Sequence, residues 1–359
     1  MVYEIYVRSF ADSNGDGEGD LRGVRSRLGH LRALGVDALW LTPFYPSPLA
    51  DGGYDVADYR DVDPRFGTLA DFDALVADAH ANGLRVIVDI VPNHSSDRHP
   101  WFREAVAAPP GSPARERYVF RPGKPGTAPG SEEPPNDWTS AFGGPAWTRL
   151  PDGEWYLHLY SPEQPDFNWR DPEVRHEFES VLRFWLDRGV DGFRIDVAAG
   201  LFKDPALADL GADPRRTGRT KYSRDEVHGV YREWRRILDS YDGDRMAIGE
   251  VWTDSADELA RFLRPDELHQ VFQFDLELAP WSASAFRDVI DTALASVEPI
   301  DAAPTWVLSS HDSVRHATRY EEPKDGPGIG RAPGPSCRCC SGCPARRTCT
   351  RAVNWDCPR

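Results

Sequence analysis

The chain predicts an α/β fold, a (β/α)8 TIM barrel interrupted by a loop-rich insertion after its third strand. Three observations carry that prediction. Short apolar, β-branched runs alternate with amphipathic helical runs over most of the length, the pattern of parallel strands joined by crossover helices. Seven such strands can be read, with charged residues recurring at their C-terminal ends: Asp89, Asp196, Glu250, Asp275 and the pair His311-Asp312. A barrel collects its reactive groups on that rim. An open doubly wound sheet, the alternative, has no reason to place carboxylates at the ends of strands three, four, five and seven together.

Residues 2–10, VYEIYVRSF, read as the first strand. The loop after it places Asp12, Asn14, Asp16 and Asp20 around Gly17. Oxygen side chains at alternate positions, with a glycine for the sharp turn, make the first half of an EF-hand-like loop. Its twelfth position is Gly23 rather than a bidentate Glu, and no helix precedes it, which argues against an EF-hand. The expectation is a structural Ca2+ or Mg2+ held by Asp12, Asn14, Asp16, the Glu18 carbonyl and Asp20, with an ion-free Asx turn as the alternative. A helical run at 21–35 then leads to a second strand, DALWLTPF, and to the Pro- and Gly-rich loop PSPLADGGYDVADY. The helix at 69–83, closed by Gly83, precedes the most apolar strand, LRVIVDIV, which ends in Pro92-Asn93-His94.

From about 94 to 166 the alternation stops, and the segment is dense in Pro, Gly and Trp. A loop of this length inside a compact domain is either disordered or a functional insertion. Trp101, Trp138, Phe142, Trp147, Trp155 and Tyr156 favour an ordered one. The helix at 172–188 and the strand at 191–197 resume the pattern, followed by strands RMAIGEVW, HQVFQFDL and TWVLSSHD with helices between. Expected boundaries are therefore 1–93 for the first barrel part, 94–166 for the insertion, 167–320 for the second barrel part and 321–359 for an aberrant tail.

The stretch GVDGFRIDVAAG organises the rest. Phe193, Ile195 and Val197 alternate with Arg194 and Asp196, a strand signature that puts a cation and a carboxylate on one face. Removing an unpaired ion from water costs several kcal/mol, roughly, so each charge needs a partner. A purely structural Arg–Asp pair is the bland alternative to a reactive one.

Forty-two Lys and Arg against 58 Asp and Glu give a net charge of −16, which argues against nucleic acid as a partner. Twelve Trp and twelve Tyr suit stacking on sugars, although most aromatics are core. No apolar run approaches the ~18 residues a membrane span needs, and the N-terminus lacks a signal-peptide pattern. A soluble, cytoplasmic monomer is expected.

The ordered segments DIVPNH (89–94), QPDFNW (164–169), GFRIDV (192–197), GEVW (249–252) and SSHD (309–312), with YVRSFADSNGDGEGD and ADGGYDVADY upstream, resemble the α-amylase family, glycoside hydrolase family 13. Within it they are similar to the α-glucosidase and oligo-1,6-glucosidase branch. Retaining hydrolysis needs one carboxylate to attack the anomeric carbon and a protonated one about 5–5.5 Å away to release the leaving oxygen. The resemblance, with neighbouring strands four and five, implies Asp196 as nucleophile, Glu250 as general acid/base and Asp312 as the third catalytic carboxylate. It also implies that Asp51, Tyr54, His94, Arg194 and His311 bind the sugar, that Asp89 supports Arg194, and that no cofactor is needed. The implied substrate is a short α-linked gluco-oligosaccharide. Val197 after the nucleophile is similar to members acting on α-1,6 bonds. Ala199 and Ser310 depart from the branch, which commonly has His and Asn there. Sucrose isomerases or related transglucosylases, and a catalytically inactive truncated product or sugar-binding homologue, are the alternatives.

All six cysteines lie between Cys337 and Cys357, and Cys337, Cys339, Cys340 and Cys343 have poor zinc spacing. The tail has no apolar periodicity. The family resemblance implies an eighth strand and a small C-terminal β-domain, and the expectation is that both are missing here. Written in GC-rich codons and moved back by one nucleotide, the last eleven residues allow YQGGELGLPE, which resembles the family's eighth-strand region. The residues after roughly 320–336 thus read as out-of-frame translation, with no redox or metal role for the cysteines. Resequencing the locus should show a frame break there; an unambiguous frame through codon 359 with a soluble, active product would refute it.

Overall fold

The computed structural model describes residues 1–126, 131–211, 225–253 and 255–320. The Cys-rich tail lies outside the described residues. Seven strands form one sheet in chain order: β1 (Val2–Ile5), β2 (Ala38–Leu41), β3 (Arg85–Ile90), and then, beyond the inserted β4 (Phe120–Pro122), β5 (Lys124–Pro125), β6 (Glu132–Glu133), β7 (Trp147–Arg149) and β8 (Glu154–Leu157), the strands β9 (Gly192–Ile195), β10 (Met246–Gly249), β11 (Gln270–Gln273) and β12 (Thr305–Trp306). The pairs β1–β2, β9–β10, β10–β11 and β11–β12 are parallel. Sequential parallel order is what helical crossovers produce, and it is the order of the first seven strands of a (β/α)8 barrel.

The chain divides into two compact units: Met1–Thr42 with Arg65–Ile87 and the chain from Phe272, and Pro43–Pro64 with Val88–Val271. In the first, the predicted helix at 21–35 is two short helices, Leu21–Ser26 and Leu28–Ala33, separated at Arg27. Asp20 caps the first of them by accepting from the Gly23 amide at 2.6 Å. Thr68 and Asp71 form a reciprocal capping box at the helix Leu69–Ala81, which satisfies amides the first turn leaves open. Cover is thinner near β12: the helix Ala283–Val297 buries only Ala293 and Val297, and Leu278, Trp281 and Trp306 are exposed.

In the second unit the helix Pro172–Asp187 starts on an Asp171 cap followed by proline, and buries Val174, Phe178, Val181, Leu182, Trp185 and Leu186, a stripe at helical spacing. The insertion is ordered where described. Strands β4, β8 and β7 form an antiparallel sheet over a core of Val119, Trp138, Ala146, Trp147, Leu157, Leu159 and Leu207. The buried Arg115 ties that segment together through Asp152, Glu154 and the Ala105 carbonyl.

Strand β9 corrects the expected alternation. Gly192, Phe193, Arg194 and Ile195 are all buried, because a parallel strand is covered on both faces. It also ends at Ile195, two residues earlier than predicted. Val197 has left the strand, with φ at 45°. A Cβ at Gly192 would stand 2.3 Å from the Met246 carbonyl oxygen, so only glycine allows β10 to approach this closely. Gly192 pairs with Met246 and Ile195 with Gly249, so the next residues, Asp196 and Glu250, emerge side by side.

Candidate active site

Three carboxylates meet one cation at the ends of β3, β9 and β10. The Arg194 guanidinium donates to Asp89 Oδ1 at 3.1 Å, to Asp196 Oδ1, and to Glu250 Oε2 at 2.8 Å. Arg194 is 2% exposed and Asp89 fully buried. The Tyr54 hydroxyl donates to Asp89 Oδ2 at 3.0 Å, and Arg194 lies 5.6 Å from the Tyr54 ring centroid. The backbone locks the pair: Asp196 N donates to Ile90 O, Glu250 N to Ile195 O and Ala198 N to Glu250 O. Val197 adds strain at the same end. A β-branched residue in the left-handed region costs on the order of 1–3 kcal/mol, and its amide donates to Glu250 Oε2 at 3.1 Å.

The two carboxyls differ in their donors. Burial lifts Asp196 well above the ordinary carboxylate range, opposed by Arg194 and reinforced by Glu250 and Asp89. Burial also works upward on Glu250, but Arg194, the Val197 amide and the Trp252 indole outweigh it and bring the group below its usual value. The two carboxyls therefore titrate as one coupled pair.

A second set faces this pair within the same unit. His94 is buried and pushed down to about 4, chiefly by desolvation, so it is neutral at ordinary pH. Gln164 Nε2 lies 2.9 Å from His94 Nε2 and donates to Asp51 Oδ2 at 2.9 Å. Thus Asp51, Tyr54, His94, Arg194, Asp196 and Glu250 belong to one unit, with Gln164 as a bridge that sequence reading had not singled out although it begins QPDFNW. Asp312 and His311 belong to the other unit. There His311 Nδ1 is 2.5 Å from Glu4 Oε1 on β1, its ring is flanked by Tyr6 and Trp40, and its Nε2 is 3.3 Å from Asp312 Oδ1. Glu4 orients His311 from a strand 307 residues away, which no local motif signals.

The predicted ion loop offers only oxygen donors, as a hard cation prefers. Asp12 accepts from the Asn14, Gly15 and Gly17 amides, Asp16 from the Asn14 side chain and the Glu18 amide, and Asp20 from Ser13 and Gly23. The Glu18 side chain turns to Arg8 at 2.9 Å. Among the described residues no group of three or more His, Cys, Asp or Glu converges as a metal cluster would.

The indole of Trp252 donates to Glu250 Oε1 at 3.0 Å and is one of the groups that depress Glu250. A depressed carboxyl contributes stability above its unfolded pKa and loses it as pH falls through the folded value. Trp252→Phe should raise the Glu250 pKa toward its unfolded value, so that this contribution shrinks and is gone at higher pH. Carboxyl 13C NMR titration reads it directly. An unchanged Glu250 titration would show that the indole does not set the proton.

Comparisons place these residues in a known family. The model described as alpha amylase, catalytic domain, matches residues 4–326. An alpha-glucosidase of Apis mellifera is 38% identical over 335 residues, covering 90% of this chain and 58% of the relative. An oligo-1,6-glucosidase of Parageobacillus thermoglucosidasius is 39% identical, covering 89% and 58%. Among solved structures, the alpha-glucosyl transfer enzyme XgtA superposes with a TM-score of 0.82 at 39% identity, covering 89% of this chain and 61% of that one. The trehalulose synthase MutB from Pseudomonas mesoacidophila gives 0.80 at 36% identity, covering 89% and 58%. This chain therefore spans about three fifths of the length of these relatives. With the catalytic-domain match running over nearly all of its described residues, the chain belongs to the alpha-amylase family.

Proposed function

We propose that the protein is a retaining, exo-acting hydrolase of short α-linked gluco-oligosaccharides, with Asp196 as nucleophile, Glu250 as general acid/base and Asp312 as the third catalytic carboxylate. The observation that carries this reading is the pair of carboxylates on adjacent strands, bridged by a single guanidinium. Asp196 attacks the anomeric carbon and forms a glycosyl ester while Glu250 gives its proton to the departing oxygen; Glu250 then takes a proton from water, which cleaves the ester. That sequence needs the proton on Glu250. A glycosidic oxygen that displaces the Trp252 indole from Oε1 removes one donor from Glu250 and favours the transfer. Arg194 stays beside Asp196 and supports its ionised form.

Exo action rests on Asp51 and His94, joined through Gln164, as the groups that take the non-reducing sugar's hydroxyls, with Tyr54 and His311 as further sugar-binding residues. Transfer rather than hydrolysis is the second reading, favoured by the likeness to an alpha-glucosyl transfer enzyme and to a trehalulose synthase. Among the described residues no helix is long and apolar enough to cross a membrane; the proposal places a monomer in the cytoplasm, acting on soluble sugars without a cofactor.

Proton NMR during hydrolysis of maltose, isomaltose and sucrose tests the reading. The α-anomer should form first, and Asp196→Asn should lower the rate by several orders of magnitude. A β-anomer first would overturn retention, and isomerised disaccharide from sucrose would favour transfer. A structural Ca2+ or Mg2+ at Asp12, Asn14, Asp16, the Glu18 carbonyl and Asp20 belongs to the same proposal. EDTA should lower the melting temperature and Ca2+ restore it; indifference to both would leave the loop closed by its own hydrogen bonds.

A further inference from the structure

Beyond the residues expected to touch sugar, one buried cation has no part in the mechanism above. Lys203 lies seven residues beyond Asp196 and is 3% exposed. Its ammonium lies 2.7 Å from Asp166 Oδ2 and donates to Asn93 Oδ1 at 2.7 Å. A lysine buried this deeply loses hydration that only well-placed acceptors can offset, and these two acceptors stand at the two ends of the inserted segment. Asn93 closes the strand side, next to His94. Asp166 closes the return side, two residues after Gln164, and its backbone forms an antiparallel bridge with His94.

The contacts continue inward. With its oxygen engaged by Lys203, the Asn93 amide presents Nδ2 to Asp166 Oδ2 at 3.3 Å and to His94 Nδ1 at 3.0 Å. Asp166 Oδ1 meanwhile accepts from the Leu159 amide at 2.8 Å. Gln164 gives its own oxygen to the Ser161 amide at 3.0 Å, which turns its NH2 toward His94 Nε2 and Asp51. Each amide is thus oriented by a partner away from the sugar side, and His94 stands between them.

We infer that Lys203 is a positioning residue for the sugar-binding edge: by clamping Asn93 and Asp166 it holds His94, and with it the Gln164–Asp51 bridge, against the loop that follows the nucleophile. A purely structural ion pair would stabilise the insertion without governing His94. The clamp makes a further demand, because the charged groups acting on His94 are Asp166, Lys203 and Glu250, with Asp51 reached through Gln164. Asp166 and Glu250 favour the imidazolium, and Lys203 opposes it. Removing Lys203 alone leaves Asp166 unopposed.

The inference rests on the hydrolase reading only where activity is measured, so its test has a readout that needs no turnover. In Lys203→Met, 15N NMR titration should show the His94 pKa rising from about 4 by about one unit or more. In Lys203→Met/Asp166→Asn, which removes both charges, it should return to near the starting value. Lys203→Gln keeps a donor for Asn93 without the charge, should show the same rise, and serves if the methionine variant does not fold. All three should lose at least tenfold in kcat/KM on the substrate the protein cleaves. A folded Lys203→Gln or Lys203→Met protein whose His94 titration and kcat/KM are unchanged would overturn the inference. A His94 shift in a protein without hydrolytic activity would leave the inference standing and refute the hydrolase reading instead.

Discussion

One guanidinium, fully enclosed at the end of β9, is the interaction on which this site depends. Arg194 could not be taken out of water alone; it is tolerable because Asp89, Asp196 and Glu250 surround it. The reverse also holds, since three buried carboxylates with no cation would repel one another at close range. The charges do not balance, with one positive group against three acids. Burial raises Asp196, opposed by Arg194 and reinforced by Glu250 and Asp89. Two neighbouring carboxyls whose surroundings push their pKa values in opposite directions are the pattern by which acid and base roles are divided.

Backbone geometry supplies what side chains alone could not. Gly192 lets β10 come close, and the register then delivers Asp196 and Glu250 together. Val197 leaves the strand in a strained conformation, and its amide donates to Glu250. Two amide side chains, Asn93 and Gln164, carry the influence outward to His94 and Asp51. Positions near the reacting carbon are thereby held by strands and buried hydrogen bonds, not by loop residues whose rotamers are free.

Much of this was legible in the sequence because it is local. All seven strands were found from apolar runs, and the carboxylates of β3, β9 and β10 from their place at strand ends. The capped helix Leu69–Ala81 and the helix Pro172–Asp187 carry their signals within a few residues. What was missed is non-local or conformational. Glu4 acts on His311 across 307 residues, and Lys203 on Asn93 across 110; no spacing rule reports such partners. The alternation in β9 suggested one buried face, but all four of its residues are buried. The amide of Val197 meets Glu250, which follows another strand. Gln164 was visible within its motif, yet its role follows from standing between two residues 43 positions apart.

The assignment of Asp196 as the attacking carboxylate is tested most directly by trapping. An α-glucosyl fluoride whose ring carries a second fluorine slows hydrolysis of the glycosyl ester, so the adduct accumulates and can be located by peptide mass spectrometry. The predicted result is a single glycosyl label on the peptide containing Asp196, discharged when a sugar acceptor is added. A label on Glu250 or Asp312, or catalytic consumption of the fluoride with inversion and no adduct, would contradict it.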